Sequence, residues 1–174
     1  MTTDKLVIAT TVNRKDKADF KIFCTQNDLR EGNTLRSLLV WLKQLSQENQ
    51  KKFFTKYLSR TQYGRGDKTS TLHVYFSSQE ELDEIQQMAR EIQGRILSIK
   101  LSYTTLLISL IRWLQKLSKD SLLAFKKRYY LPGLNNTLES IEHQAQAEKK
   151  VTIDYEGKTN TRWKNKKELE EAKV

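Results

Sequence analysis

Laid over itself with a shift of 72, the segment Leu29–Tyr57 matches Leu101–Tyr129 at ten of twenty-nine positions without a gap. The matching pairs are Leu29/Leu101, Leu35/Leu107, Ser37/Ser109, Leu38/Leu110, Trp41/Trp113, Leu42/Leu114, Leu45/Leu117, Ser46/Ser118, Phe53/Phe125 and Tyr57/Tyr129. Leucines alone coincide easily between amphipathic helices; coincident Trp, Phe and Tyr do not. An internal repeat of this kind limits the fold more than any composition does, because each copy must be one supersecondary unit. The pattern reads as a duplication.

The elements before the matching helices recur in the same order at a smaller shift. Leu6–Val12 is rich in β-branched residues and reads as a strand. Its counterpart, Ser70–Phe76, alternates Leu72, Val74 and Phe76 with Thr71, His73 and Tyr75, the period of a half-buried strand. A first helix follows each. Lys15–Asn27 turns Ala18, Phe20, Phe23 and Cys24 inward. Gln79–Gln93 does the same with Leu82, Ile85, Met88, Ala89 and Ile92, opened by Ser77-Ser78 as a cap with Glu80 and Glu81 in its first turn. The turn to the second helix runs through Asp28–Gly32 in copy one, with Asn33 or Thr34 as the next cap. Copy two inserts about seven residues there, Gly94–Lys100, whose Ile96, Leu97 and Ile99 need cover, before Ser102 or Thr104 starts its helix. Third helices are expected over Gln47–Leu58 and Lys119–Tyr130, the latter stopped by Pro132-Gly133. The expected organisation is residues 1–62 for copy one, 63–133 for copy two, the two interlocking as one domain, and a partly flexible extension over 134–174. Within that extension Thr137–Lys150 is helix-prone, Val151–Gly157 a short strand and turn, and Lys158–Val174 loosely ordered.

A strand and two helices cannot bury their own apolar face. Copy one supplies Ile8, Thr10, Val12, Phe20, Phe23, Leu35, Leu38 and Leu42. Copy two supplies Leu72, Val74, Phe76, Ile85, Leu106, Leu107 and Leu110. Antiparallel pairing of the strands joins these sets in one core and makes a two-stranded ribbon narrow enough for a DNA major groove. The fold class expected is therefore mainly α, with a short two-stranded antiparallel ribbon.

Each copy resembles the ribbon–helix–helix family of bacterial and phage DNA-binding proteins (the Arc, MetJ and CopG group). The residues that carry this are the alternating strands, the first helices and the capped second helix Leu101–Arg112. The likeness covers Lys5–Leu45 and Ser70–Leu117. Two copies on one chain are similar to the single-chain arrangement of TraY-type accessory proteins of plasmid transfer. The resemblance implies a tandem pseudo-dimer with additional helices and a C-terminal extension. It implies base reading by the outward side chains Lys5, Val7, Ala9, Thr11 and Asn13 in copy one and Thr71, His73 and Tyr75 in copy two. It also implies phosphate binding at the second helices' N-termini, here Asn33 and Thr34, and Ser102, Tyr103 and Thr104, with Lys68 beside the ribbon. Val7 and Ala9 depart from the family's Arg or Gln. With the longer copy-two loop, this makes the halves unequal and predicts an asymmetric site.

Charge agrees with a polyanionic partner: 31 Lys and Arg stand against 21 Asp and Glu, a net +10. Double-stranded DNA is thus the expected partner, with a higher oligomer on DNA and no membrane; the longest apolar runs fall far short of the roughly 20 residues that cross a bilayer. A lone cysteine, Cys24, sits among Phe20 and Phe23 and reads as a packed core thiol in a reducing, cytoplasmic setting; a bacterial, nucleoid-associated location is what the resemblance implies. Trp41 and Trp113 read as packing residues. His73 is a base reader or a solvent-facing strand histidine, and Lys51-Lys52 and Lys126-Lys127-Arg128 are phosphate contacts or solvated helix faces. Arg65-Gly66-Asp67 marks a turn. No Gly-rich phosphate loop, His-Glu-x-x-His, paired-cysteine spacing or nucleophile elbow occurs, so neither catalytic residues, metal nor cofactor are expected. The functional expectation is a sequence-specific transcriptional regulator, a repressor that occludes promoters, or a plasmid or phage accessory factor. The alternative is an antitoxin-like interaction module whose extension Leu134–Val174 binds a partner protein.

Overall fold

The computed structural model describes residues 6–59, 68–96, 101–131 and 149–163. The chain divides into two compact units, Met1–Lys116 and Leu117–Val174. The described residues are mainly helical, with two separate two-stranded antiparallel sheets.

In the first unit the β-branched runs form β1 (Val7–Asn13) and β2 (Thr69–Tyr75). They pair antiparallel in the register Val7↔Tyr75, Ile8↔Val74, Ala9↔His73, Thr10↔Leu72, Thr11↔Thr71, Val12↔Ser70 and Asn13↔Thr69. Because side chains alternate faces along a strand, this register puts Ile8, Val12, Leu72 and Val74 together on one face, and all four are buried. The same alternation leaves Ala9, Thr11, His73 and Tyr75 exposed on the other face.

Each strand runs straight into a helix. Asn13 leaves the strand as the cap of α1 (Arg14–Gln26), its Oδ1 accepting the Lys15 amide at 2.8 Å. Phe20 and Cys24 of α1 are buried and Phe23 is half-buried, but Ala18 faces solvent rather than the core. Asp28, at φ 55°, ends α1 in the left-handed region that Asp tolerates better than most residues. There the Leu29 amide reaches back to the Cys24 carbonyl at 2.8 Å and the Asp28 amide to Thr25 at 3.4 Å, a Schellman stop sealed by buried Leu29. On the other side Ser78 caps α4 (Gln79–Glu91) by accepting the Glu81 amide. No left-handed residue stops α4, and it continues through a π-helical turn, Ile92–Ile96. Residues 97–100, with Leu97 and Ile99, lie outside the described residues.

The second helices α2 (Glu31–Gln44) and α5 (Tyr103–Gln115) cover the ribbon crosswise: α2 packs on β2 and α5 on β1. Thr104 of α5 donates to the Thr11 carbonyl at 2.9 Å and meets the Thr10 hydroxyl at 2.6 Å. Further along, Trp41 of α2 and Trp113 of α5 stack with ring centroids 3.9 Å apart, both buried. Helix α3 (Gln47–Tyr57), capped by Ser46, adds Phe53 edge-on to Trp41 at 5.5 Å and buried Phe54. Buried Gln50 is satisfied by the Leu42 carbonyl at 2.9 Å. Among the described residues three ion pairs join second helices to first helices, one of them Lys43 of α2 with Glu84 of α4. Arg36 of α2 grips Glu81 of α4 with two bonds, 2.5 and 3.0 Å, and Arg112 of α5 lies 3.6 Å from Asp16 of α1.

In the second unit Ser118 caps α6 (Lys119–Phe125), which runs on through a π-helical turn, Lys126–Tyr130. Strand β3 (Lys149–Ile153) packs beside α6 and pairs with β4 (Thr159–Trp163). The expected loose tail therefore begins with a strand. Asp154 makes the hairpin by accepting the Glu156 and Lys158 amides at 2.9 Å each, and Gly157 supplies the φ of 82° the turn requires. The expected helix over 137–150 falls outside the described residues except for Lys149-Lys150, which are strand, and residues 164–174 also fall outside.

Truncating either indole should be costly: Trp113→Ala is expected to destabilise the chain by about 3–5 kcal/mol in urea unfolding, and Trp41→Ala similarly. A loss below about 1 kcal/mol for both would show that the stack is not part of the core. Burial raises the Glu81 carboxyl's pKa, but bonds from Arg36 and Ser77 outweigh this and hold it below its ordinary value of 4.5. A lowered pKa contributes stability that is present above the ordinary value and lost as pH falls through the folded one. Thermal melts should therefore show a larger acid-side loss for the wild type than for Glu81→Gln. Parallel curves would contradict the pairing.

Candidate nucleic-acid interface

Seen from outside, the ribbon is a ladder of facing side chains. Val7 lies opposite Tyr75, Ala9 opposite His73, Thr11 opposite Thr71 and Asn13 opposite Thr69. Three further sequence-nominated positions, Val7, Asn13 and Thr71, are half-buried. Tyr75 is 54% exposed, unusual for so large a side chain, and its ring lies parallel to that of His73 with centroids 6.1 Å apart. Lys17 of α1 reaches the Thr71 carbonyl at 2.8 Å and fastens β2 to the helix behind it. The face offers hydroxyl and imidazole hydrogen-bonding groups with small apolar gaps between, over roughly 20 Å of strand. Asn13 has its side-chain oxygen committed to the α1 cap. Lys5 lies outside the described residues, as does Arg65-Gly66-Asp67.

The two helix N-termini beside the ribbon differ. In α5, Ser102 is the cap, accepting the Thr105 amide at 3.2 Å, and the first turn carries no acidic residue. Tyr103 is half-buried there; desolvation raises its phenol pKa, against the opposing charge of Arg90. Thr104 is held to β1 by its hydroxyl. In α2 the expected cap at Asn33 or Thr34 is displaced: Arg30 occupies the cap position, makes no side-chain cap bond, and Glu31 stands in the first turn. The reason lies in Thr34. It is fully buried, its hydroxyl donates to the Arg30 carbonyl at 2.7 Å, and its amide donates to the same carbonyl at 2.9 Å. Both its polar groups are engaged inside the helix, so Thr34 has nothing to offer a phosphate. Asn33 is in the first turn, where a helix leaves its amides without intrahelical partners. Gly32 brings this turn against β2: a methyl there would lie 3.9 Å from the His73 carbonyl oxygen.

The residues missed by sequence reasoning are Arg14 and Lys15. They follow Asn13 at the ribbon's end and are exposed, as is Lys68, whose carbonyl accepts the Arg14 amide at 3.0 Å. The run Asn-Arg-Lys directly after an alternating strand was the available signal. Burial drives the Cys24 thiol up to about 12 despite a hydrogen bond with Thr34, leaving it an unreactive core group. Among the described residues no group of three or more His, Cys, Asp or Glu could hold a metal ion, and no helix is long and apolar enough to cross a membrane. Compared with known proteins, the chain matches no family model, no curated protein and no solved structure.

Proposed function

We propose that this chain is a sequence-specific duplex-DNA-binding protein that inserts the outer face of the β1–β2 ribbon into the major groove. The observation that carries this reading is the ribbon itself: one face buried under α2 and α5, the other a polar ladder open to solvent. Two strands about 4.8 Å apart fit a groove about 12 Å wide with their side chains included. Thr11, Thr71 and His73 then hydrogen-bond base edges, while Val7 and Ala9 meet thymine methyl groups. Ser102 and Tyr103 at the start of α5 bring amides and a helix dipole toward the phosphates.

A single-chain ribbon–helix–helix pseudo-dimer accounts for the arrangement around it. The strand overlay that matches Leu6–Val12 to Ser70–Phe76 makes Ala9 the counterpart of His73, and these two face each other across the ribbon. Trp41 and Trp113, matched in the helix overlay, stack on each other. Equivalent residues meet one another at a local two-fold axis and hardly anywhere else. Among the described residues three ion pairs cross between copies, from the second helix of one to the first helix of the other. In this reading the chain is a bacterial transcriptional regulator or an accessory factor of a mobile element, acting by occupying its site.

Fluorescence anisotropy with labelled duplexes tests the reading. At low ionic strength the chain should bind duplex DNA with an affinity that falls steeply as salt rises. With fragments selected from a random pool, the triple variant Thr71→Ala, His73→Ala, Tyr75→Ala should lose about 1–3 kcal/mol of discrimination per base contact removed. It should keep most of its affinity for unselected duplex. Equal losses on both would mean that the ribbon is not the reader.

A further inference from the structure

Resting on that reading, we propose that the ribbon's two ends are electrically unlike and that DNA phosphates are held chiefly at the Asn13/Thr69 end. There Arg14 and Lys15 open α1 and Lys68 precedes β2, all three exposed, with Lys17 half-buried behind them. Among the described residues the nearby carboxylates are Asp16, paired with Arg112, and Asp19, which faces solvent one turn along α1. The α5 N-terminus serves this same side of the ribbon, since Thr104 binds Thr11 two residues before Asn13, and it carries no acid in its first turn.

The Val7/Tyr75 end is the reverse among the described residues. β2 leads into Ser77, Ser78, Gln79, Glu80 and Glu81, with Glu80 exposed and Glu81 neutralised by Arg36. The α2 N-terminus, set against the His73 carbonyl, carries Glu31 beside its cap residue Arg30. Among the described residues cations outnumber carboxylates at the first end, and carboxylates at least match them at the second. A phosphate approaching the second end would face the exposed Glu80 carboxylate, and like charges repel. Duplex DNA, uniformly charged along both strands, is therefore gripped at one end and only read, not clamped, at the other. The chain would then bind in a single orientation, with backbone contacts concentrated over half its site.

Two measurements on the full chain test this. Hydroxyl-radical footprinting on a selected duplex should show strong backbone protection over one half of the site and weak protection over the other. The variant Arg14→Gln, Lys15→Gln, Lys68→Gln should lower the slope of log affinity against log salt by about 0.9 for each phosphate contact removed. Glu80→Gln should leave that slope unchanged and the affinity equal or higher. All four positions are exposed, and unchanged melting curves would verify that folding is intact. Wild-type binding with equal protection of both halves, or a triple variant with the wild-type slope, would overturn the inference while leaving ribbon binding intact. Wild-type chain that fails to bind any duplex at low salt would instead overturn the proposed function, and this inference with it.

Discussion

The pairing of β1 with β2 is the constraint on which the first unit depends. Two strands alone are marginal in water, and these two lie more than fifty residues apart in the chain. Closing so long a loop carries an entropy cost that a few ladder hydrogen bonds do not offset. Burial does. Ile8, Val12, Leu72 and Val74 lose nearly all their exposure under the second helices, each worth about 1.5–3 kcal/mol. Because α2 covers β2 and α5 covers β1, neither copy has a finished core without the other. Among the described residues the same geometry leaves Ala9, Thr11, His73 and Tyr75 exposed on the ribbon's far face.

Polar contacts sharpen this arrangement more than they hold it together. Arg36 and Glu81 are mostly buried and doubly bonded, so they fix how α2 sits on α4. Lys43 and Glu84 repeat the link further along but remain half exposed, where an ion pair contributes little. Thr104 has a different task, tying the start of α5 to β1 and so setting the distance between that helix N-terminus and the strand. Its matched position in copy one is Gly32, which makes no such bond and leaves α2 closer to the ribbon backbone. The two repeats are thus alike in their cores and unlike where their second helices begin beside the ribbon.

Elements set by repeating apolar patterns were legible in the sequence; elements set by single backbone or hydrogen-bond events were not. The alternation of Leu72, Val74 and Phe76 and the coincident Trp41 and Trp113 marked strand faces and packing residues in advance. The start of α2 was hidden because Thr34, a good cap by type, bonds back into the helix while buried, an environment that only packing creates. Ala18 is small enough to suit either face, and its exposure could not be read from spacing. β4 was hidden because Thr159–Trp163 is polar and becomes a strand by pairing with β3. At the candidate site, the outward ladder followed from period-two alternation. Arg14 and Lys15 were passed over because they open a helix, where charge usually means a solvated turn rather than a rim around a ribbon.

Backbone amide NMR of the full chain, titrated with a selected duplex at low salt, asks whether the outer face of the β1–β2 ribbon is the surface that meets DNA. The largest shift changes are expected over 7–15, 68–75 and the first turn of α5, with the inward-packed middle of α2 nearly unmoved. Changes confined to residues 117–163, with the ribbon amides unaffected, would rule that surface out.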